Sequence, residues 1–531
     1  MGEAFLNFWK TRISREQKLG FAAAFVSALL IHMYKLNNSL ITLDSVYTQY
    51  SVQNMTKLGR WALAPAGAIS SYWDLHWLNG VLGFFYMALA VMFIIKLFEI
   101  KNPVVAVLTG ALTASAPATT ATLFYNFTFD IYMLAMLFAS AAVYLSRLEE
   151  KRFVCHATGA VLLCLCCAMY QAYLSFALVL AICYFICVLL ENNFDRNSCL
   201  RWVLRQVLVF GAAVAAYYII WKLALKLGNV EVSNYQGAAD AGQLSLAIIP
   251  QWIKKSFLDV GMFFLQWNVL ERSFSPYALL SLLFLAAFAA GGIIAVKKSG
   301  ILKRKWALLL LAACLAALIP FACIWHLATP GVESHALMFQ SLTLLFVLTA
   351  LLYDRWVKCS LRDAVCLLLV VIVFNNAVMA NVGYFYMNKS YERSYATGAE
   401  MMLRIHELQD ENPVDRIAIL GSKSSELAYE MINQTEEGEH SSGQLHLISR
   451  LLMSDLLYDA GHTSYFLQEF FGLELPLASQ EERDALFMSE EVQAMGCWPA
   501  GDSTAVIDGA LVIKLSNEWE LGHGPDAQED A

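Results

Sequence analysis

Eleven long apolar segments run through the first 383 residues of this 531-residue chain. A helix of about 20 apolar residues is long enough to cross the roughly 30 Å hydrocarbon layer of a membrane. The chain is 58% hydrophobic and only 15% charged, which is far from the composition of a soluble domain. The sequence therefore predicts an all-α polytopic membrane protein. The segments lie at 19–36, 76–98, 103–123, 129–146, 154–170, 172–190, 206–227, 276–296, 306–328, 335–353 and 363–383.

The basic residues near the segment ends predict the topology, because Lys and Arg collect on the cytoplasmic side of a membrane. With eleven spans, 20 basic residues fall on the side of the N-terminus and 8 on the other side before the tail. One long helix over 154–190 would give ten spans and break this alternation, so we expect a turn near Gln171. The pattern places the N-terminus inside and the C-terminus outside, with outer loops at 37–75 and 228–275.

The two ends of the chain differ from the apolar part, residues 19–383. Residues 1–18 mix aromatic and basic side chains and predict an amphipathic helix in the inner interface. Residues 384–531 hold 8 basic and 27 acidic residues, and we expect an acidic extracytoplasmic domain there. A helical pattern at 395–408, an apolar strand at 416–421 and a hairpin turning at Asp508-Gly509 indicate a small α/β fold.

The sequence also weighs against several classes of function. No Asp-x-Asp pair occurs on a predicted cytoplasmic loop, so nothing indicates a metal-held nucleotide sugar. Ionisable residues are scarce in the middle of the segments, where ion-coupled transporters usually place them. No set of residues has the spacing of metal ligands, and nothing indicates a nucleic-acid partner. The polar chemistry gathers at the outer face.

Two carboxylates at that face are candidate catalytic residues. Asp44 precedes a predicted short helix at 45–58 that Gly59 ends. It fits either an N-cap, accepting from free backbone N–H groups, or a general base that removes a proton from a sugar hydroxyl. Asp130 is predicted at the outer end of the fourth segment. It fits either a cap that complements the helix dipole or a second acid in the cavity.

Outward-facing cations and polar residues supply candidate binding groups. A guanidinium forms a planar fork that suits phosphate oxygens, while outer lysines can also simply remain solvated. The candidates for binding the phosphate of a donor are Arg60, Lys57, Lys254, Lys255 and Arg272. The candidates for binding an acceptor are Asp74, His76 and His335, each of which also fits a purely structural or surface role.

Several short motifs resemble the glucosyltransferase II type family, which contains the serotype-converting O-antigen glucosyltransferases of bacteria. They are Asp44 followed by Leu58-Gly59-Arg60-Trp61, then Phe129-Asp130-Ile131-Tyr132-Met133-Leu134, and then Met169-Tyr170-Gln171-Ala172-Tyr173. The C-terminal pattern Gly496-Cys497-Trp498-Pro499, with Leu511 to Ser516, is similar too. The family's outer-loop acid is often a doublet, whereas Leu43 and Ser45 flank a single acid here.

The resemblance implies a GT-C like fold in the bacterial inner membrane, with Asp44 as the catalytic carboxylate of the first outer loop. It implies a polyprenyl-phosphate sugar as donor, glucose as the sugar, and a cell-surface polysaccharide or glycolipid as acceptor. Membrane lipid is the surrounding partner, no cofactor is implied, and a divalent metal requirement stays open. The alternative is a transporter or flippase of lipid-linked saccharides, which would need a polar central cavity and repeated halves.

Overall fold

Each of the eleven predicted apolar segments forms helix in the computed structural model of the protein. The structure describes residues 9–38, 40–147, 149–233, 248–265, 276–329, 332, 334–357, 360–422 and 456–519. The first eight residues of the predicted interfacial helix lie outside the described residues. The helices of the apolar part are α1 (Arg15–Asn37), α2 (Leu43–Tyr47), α3 (Leu63–Gly67), α4 (His76–Leu97), α5 (Pro103–Ser115), α6 (Pro117–Phe124), α7 (Asn126–Leu145), α8 (Phe153–Met169), α9 (Tyr173–Glu191), α10 (Arg196–Gly228), α11 (Ile248–Leu265), α12 (Tyr277–Lys298), α13 (Lys305–Ala322), α14 (Trp325–Ala328), α15 (Thr343–Trp356) and α16 (Ser360–Glu411).

Ten helices within the described residues are long and apolar enough to cross a membrane, with α5 and α6 counted as one span. The break between those two follows from Pro117, because a proline forces the residue before it into an extended conformation. The shorter apolar helix α8 has 17 residues and ends at Met169, and α9 begins at Tyr173. The predicted turn near Gln171 is therefore confirmed, and 154–190 is not one long helix.

The predicted outer loop 228–275 contains a helix that the apolar pattern missed. Helix α11 carries Trp252, whose indole N–H donates to the carbonyls of Pro320 and Cys323, both at 3.1 Å. Residues 234–247 and 266–275 of this loop lie outside the described residues. This part of the loop is therefore a helix held against the end of α13.

The chain divides into two compact units. The first unit contains the described residues of Met1–Asn37 and Val52–Asn381. Its packing is most extensive where α4 meets α7 and where α1 meets α4 and α5. Helices α1 and α5 approach closely because Gly110 lies against the backbone of Gly20 and Ala24, where a Cβ would overlap. Small residues of this kind let membrane helices pack backbone to backbone.

The second unit contains Asn38–Ser51 and the described residues from Val382 onward. Its sheet has the order β1 (Arg416–Leu420), β3 (Ala510–Lys514), β2 (Thr504–Ile507), with β1 parallel and β2 antiparallel to β3. The predicted strand at 416–421 and the hairpin at Asp508-Gly509 are confirmed, and both turn residues have positive φ. The predicted helix 395–408 is part of α16. The remaining helices are α17 (Ala460–Phe471), α18 (Gln480–Phe487) and α19 (Glu490–Ala494).

Two apolar layers cover the two faces of this sheet, because successive strand residues point to opposite faces. Layer 1 contains Ile417, Ile419, Leu511 and Ile513, with side chains of α16 and α17. Layer 2 contains Ala418, Leu420, Ala510 and Val512, with side chains of α18 and α19. Both sets are buried, so β1 and β3 form the centre of a three-layer arrangement.

Candidate active site

Three of the family-like motifs meet at the side chain of Arg60 in the first unit. Its Nη1 donates to the Tyr132 hydroxyl at 3.2 Å, and its guanidinium lies 4.8 Å from the centre of the Tyr170 ring. The Tyr132 and Tyr170 rings are stacked 4.3 Å apart. A cation over an aromatic face is stabilised by the electrons of the ring. Residues that lie 72 and 110 positions beyond Arg60 in the sequence thus orient the guanidinium that we predicted to bind phosphate.

The backbone before Arg60 is held just as closely. The Gln171 side-chain amide donates to the Leu58 carbonyl at 2.7 Å and to the Tyr217 hydroxyl at 3.0 Å. The Trp221 indole N–H donates to the Thr56 carbonyl at 2.7 Å. Gly59 has a φ of +83°, and a Cβ there would overlap the Tyr217 hydroxyl and the Gln171 amide. The glycine of this motif is therefore required by both the backbone conformation and the neighbouring side chains.

The chain after Arg60 follows the first two turns of α7. Gly67 lies against Ile131, Ser70 is near the Asp130 carboxyl, and Asn126 donates to Asp74 Oδ1 at 2.5 Å. Asp130 is only 1% exposed. Of the two alternatives for Asp130, a cap at the start of the helix is wrong, because α7 already begins at Asn126 and Asp130 lies one turn inside. The prediction that Asp130 is a second catalytic acid is unaffected.

Asp74 forms the centre of a buried polar cluster at the start of α4. Its side chain is fully buried, and its Oδ2 lies 3.7 Å from His76 Nε2. Burial opposes ionisation of Asp74, but the hydrogen bond and charge of His76, together with Lys35 and Asn126, hold its pKa below the usual value. Lys35, which is also fully buried, comes from α1. The structure thus brings together Asp74 and His76, which were predicted to bind the acceptor, and places the charge of Lys35 near Asp74.

Several polar atoms around this cluster are buried without a hydrogen-bond partner among the described residues. They are Oδ1 of Asn79, Oδ1 of Asn126 and Oδ1 of Asp130, and Asn79 lies near the Asp130 carboxyl. Buried polar groups in proteins are nearly always satisfied, by ordered water where no protein group is available. Ionisable groups at membrane depth are costly and usually functional. We call Lys35, Asp74, His76, Asn79, Asn126 and Asp130 the α7 cluster, and its unpartnered atoms can accept bonds from a polar ligand.

Asp44 belongs to the second unit, and its local structure differs from the prediction. The N-cap of α2 is Thr42, whose Oγ1 accepts from the Ser45 backbone N–H at 3.2 Å, so Asp44 is not the cap. Asp44 lies inside α2 with an exposed side chain. The predicted helix 45–58 is also wrong. Helix α2 ends at Tyr47 because the Thr48 side chain donates to the Asp44 carbonyl at 2.7 Å, and hydroxyl residues compete with helical bonding.

The remaining predicted cations have different environments. Lys57 lies half-buried in the short turn Thr56–Leu58 that ends at Gly59. Lys254 is exposed on α11, whereas Lys255 donates to the Val332 carbonyl at 2.7 Å. His335 precedes the turn Ala336–Leu342. Arg272 lies outside the described residues. Arg60 is therefore the predicted cation whose surroundings the structure defines most fully.

The structure contains a second cluster of polar side chains, which the sequence did not reveal. His326 Nε2 lies 2.6 Å from Asp259 Oδ2, and Ser334 Oγ donates to the same oxygen at 2.5 Å. These side chains join α11, α14 and the segment before α15, and His326 and Asp259 are buried. They lie 67 residues apart in the sequence, so no local pattern relates them. The group fixes α11 to the segment that Lys255 also contacts.

The family described as "Glucosyl transferase GtrII" matches residues 33–350, which is more than half of the chain. The matched range includes Arg60, its aromatic partners and the whole α7 cluster. Comparisons with curated proteins and with solved structures find no match. On the family match, the chain belongs to the GtrII glucosyl transferase family and is a glycosyltransferase with membrane-spanning helices.

Proposed function

We propose that this protein transfers a sugar, glucose in the first instance, from a polyprenyl-phosphate sugar to a cell-surface polysaccharide or glycolipid. The reaction takes place at the outer face of the bacterial inner membrane. The observation that supports this most directly is the convergence of three motifs on Arg60 in a chain of the GtrII family. A guanidinium held by aromatic rings at the end of membrane helices suits a phosphate attached to a lipid.

A lipid-linked donor also fits the distribution of charge. The first outer loop carries Asp44, Lys57, Arg60 and Asp74, and His76 begins the helix that follows it. No Asp-x-Asp pair that would hold a nucleotide sugar through a metal occurs on the predicted cytoplasmic loops. Nucleotide sugars are not supplied outside the cytoplasm, whereas a lipid-linked sugar can be presented at the outer face. The donor would therefore reach Arg60 from the membrane.

In the proposed mechanism Asp44 removes the proton from an acceptor hydroxyl. The resulting oxygen attacks the anomeric carbon, the bond between that carbon and the phosphate oxygen breaks, and the polyprenyl phosphate leaves with the electron pair. Arg60, with Lys57, stabilises the negative charge that develops on the leaving phosphate. One displacement of this kind inverts the anomeric configuration. Lys254, Lys255 and Arg272 are further candidates for the lipid phosphate.

The α7 cluster is proposed to bind the acceptor. Asp74 and His76 can hold sugar hydroxyls, and the unpartnered oxygens of Asn79 and Asn126 accept hydrogen bonds that hydroxyls donate. His335 is a further candidate for acceptor contacts. Asp130, buried beside Asn79, is the second candidate for proton removal if Asp44 does not serve.

The decisive experiment measures transfer by the purified protein in liposomes that contain polyprenyl-phosphate glucose and no nucleotide. Asp44→Asn keeps the shape of the side chain but cannot take a proton, so the rate should fall by about 10² to 10⁴. Asp502→Asn, at an exposed carboxylate of the second unit, is the matched control and should transfer normally. Efficient transfer from a nucleotide sugar, with no lipid-linked sugar present, would contradict the proposal that the donor is a polyprenyl-phosphate sugar. A normal rate for Asp44→Asn, with a large loss for Asp130→Asn, assigns the base to Asp130.

The orientation is tested separately by adding one cysteine at a time to a Cys497→Ser background, with that background itself as the control for labelling of the eleven remaining native cysteines. Met488→Cys replaces a side chain of the second unit that is 66% exposed, and Lys298→Cys replaces an exposed residue at the end of α12. A membrane-impermeant thiol reagent should label the first in intact spheroplasts and not the second. The reverse labelling contradicts an outer reaction site.

A further inference from the structure

The short segment that carries Asp44 is built into the core of the second unit. Val46 is fully buried and Ile41 is 3% exposed, and both pack in layer 1. The other members of this layer include Phe466 and Leu467 of α17 and Ile417 of β1. Residues from the first predicted outer loop thus share one apolar core with residues from the C-terminal end of the chain.

The contact between α2 and α17 is specific as well as apolar. The Tyr47 ring lies 4.5 Å from the His462 ring and 5.3 Å from the Tyr465 ring. Asp459 caps α17, and its Oδ1 accepts from both the backbone N–H and Nδ1 of His462 at 2.8 Å. The cap therefore fixes the ring of His462 against which Tyr47 packs.

A helix as short as α2 cannot hold its own conformation. Fixing the first turn of a helix is unfavourable, and isolated helices of fewer than about 12 residues are marginal in water. Helix α2 has five residues, and Asp44 lies two residues from Val46 and three from Tyr47. The backbone at Asp44 is therefore ordered by the packing of its neighbours into layer 1.

We infer that the second unit takes part in catalysis, because its residues Val46, Tyr47 and His462 are positioning residues for Asp44. The inference rests on the proposed function, since it requires that Asp44 is the base. The second unit then acts on catalysis through layer 1 and through the contact of Tyr47 with His462. Layer 2 supports the fold of the unit and, among the described residues, contains no side chain from the Asp44 segment.

This difference between the layers supplies a matched pair of substitutions. Val46 of layer 1 and Val492 of layer 2 are both fully buried valines, so Val46→Ala and Val492→Ala remove the same two methyl groups from the same unit. In the full-length protein in liposomes, Val46→Ala should lower the transfer rate by roughly tenfold or more, because small displacements of a catalytic group have large effects. The KM for the donor should be unchanged. Val492→Ala should transfer at the wild-type rate.

Tyr47 provides a second test that disturbs the core less. Tyr47→Ala should lower the rate, while Tyr47→Phe keeps the ring packing on His462 and should restore it. In an Asp44→Asn background Val46→Ala should cause no further loss, because residues that act through one group are not additive. Equal losses for Val46→Ala and Val492→Ala, or a further loss in the Asp44→Asn background, would overturn the inference. An active Asp44→Asn protein instead contradicts the proposed base itself, so the two failures are distinguishable.

Discussion

The two halves of the first outer loop are built in different ways. Residues 40–51 are ordered by apolar burial, with Ile41 and Val46 in layer 1 and a satisfied cap at Thr42. Residues 52–75 are ordered by polar and aromatic contacts to α7, to the turn at Gln171 and to α10. One loop therefore carries two groups with different supports. The exposed carboxylate of Asp44 lies on a segment held by apolar packing, and the guanidinium of Arg60 lies on a segment held by hydrogen bonds and aromatic rings. We interpret the first half as the part that removes a proton and the second as the part that binds phosphate and acceptor.

The buried ammonium of Lys514 in the second unit and the α7 cluster of the first unit differ in how fully their polar atoms are hydrogen-bonded. In the second unit Lys514 is 1% exposed, and its ammonium donates to the carbonyls of Val492 and Met495 at 2.9 and 3.0 Å. In the first unit the α7 cluster leaves buried oxygens of Asn79, Asn126 and Asp130 without partners among the described residues. A satisfied buried charge contributes to structure, whereas unsatisfied groups have bonding capacity for a ligand. The contrast supports the α7 cluster as a binding region.

After Asp44→Asn, substitution of Arg60 should give the largest effect on transfer. Arg60→Ala removes the guanidinium proposed to stabilise the leaving phosphate, and kcat/KM for the lipid donor should fall by about 10² to 10³. Arg60→Lys keeps the charge without the planar fork and should recover only part of the rate. The measurement is initial transfer rate against donor concentration at a fixed acceptor concentration.

Arg404 is a closely matched control for Arg60. Its guanidinium lies 4.9 Å from the Trp498 ring and its Nη1 donates to the Ala500 carbonyl at 2.9 Å, so it makes the same kind of contacts in the second unit. Arg404→Ala should lower the unfolding temperature of that unit and leave donor kinetics unchanged. A donor effect as large as that of Arg60→Ala would show that loss of an arginine–aromatic contact, and not phosphate binding, explains both.

Gly59 should give the next largest effect. A side chain at φ +83° is strained by roughly 1 to 2 kcal/mol, and its Cβ would also displace Tyr217 and Gln171. Gly59→Ala should therefore shift Arg60 and lower transfer by about tenfold to a hundredfold. Gly472, at φ +71° with open space around it, is the control for backbone strain alone. Gly472→Ala should cost stability without changing the transfer rate, and equal losses of transfer would contradict the role of the Tyr217 and Gln171 contacts.

Local patterns predicted the elements whose cause is local. Apolar length gave the eleven helical segments, and Asp508-Gly509 gave the hairpin, because a type I′ turn needs positive φ at both residues. The Gln171 turn came from charge alternation on either side of it. The helix at 45–58 failed because apolar burial of Val46 in a distant layer and competition from Thr48 decide that conformation. Helix propensity summed over a short stretch of sequence reflects neither of these effects.

The candidate site was predictable in its residues but not in its contacts. Arg60, Asp74 and His76 were visible as outer-face charges, whereas Lys35 lay within an apolar segment, where a charge is itself a signal. The partners of Arg60 are aromatic residues of α7 and of the turn at Gln171, and an aromatic residue in a membrane helix is more often simply packed. The Asp259 and His326 pair joins distant helices. Such pairings depend on tertiary packing, which one sequence does not reveal.

The smallest expected effect concerns two carboxylates that each lie beside a histidine, Asp74 in the first unit and Asp459 in the second. Burial raises the pKa of Asp459, but its bonds to His462 outweigh this and hold the pKa below the usual 3.8. A carboxylate with a lowered folded pKa stabilises the fold above its unfolded pKa, and this stability is lost as pH falls through the folded value. Asn caps a helix as well as Asp does, so Asp459→Asn removes only the negative charge at the start of α17 and should cost about 0.3 to 1 kcal/mol at pH 7.

Thermal unfolding of wild type and Asp459→Asn between pH 7 and pH 3 provides the measurement. The difference in unfolding temperature should be a few degrees at pH 7 and should shrink below pH 3.8, because the wild-type carboxyl then takes up a proton. Asp459→Asn should also lower transfer slightly through His462 and Tyr47, whereas Asp74→Asn should lower transfer less than tenfold by weakening acceptor contacts. A stability difference for Asp459→Asn that stays constant down to pH 3 would mean that the carboxylate charge contributes nothing to this cap. The contact of His462 with Tyr47 would then be held by packing alone.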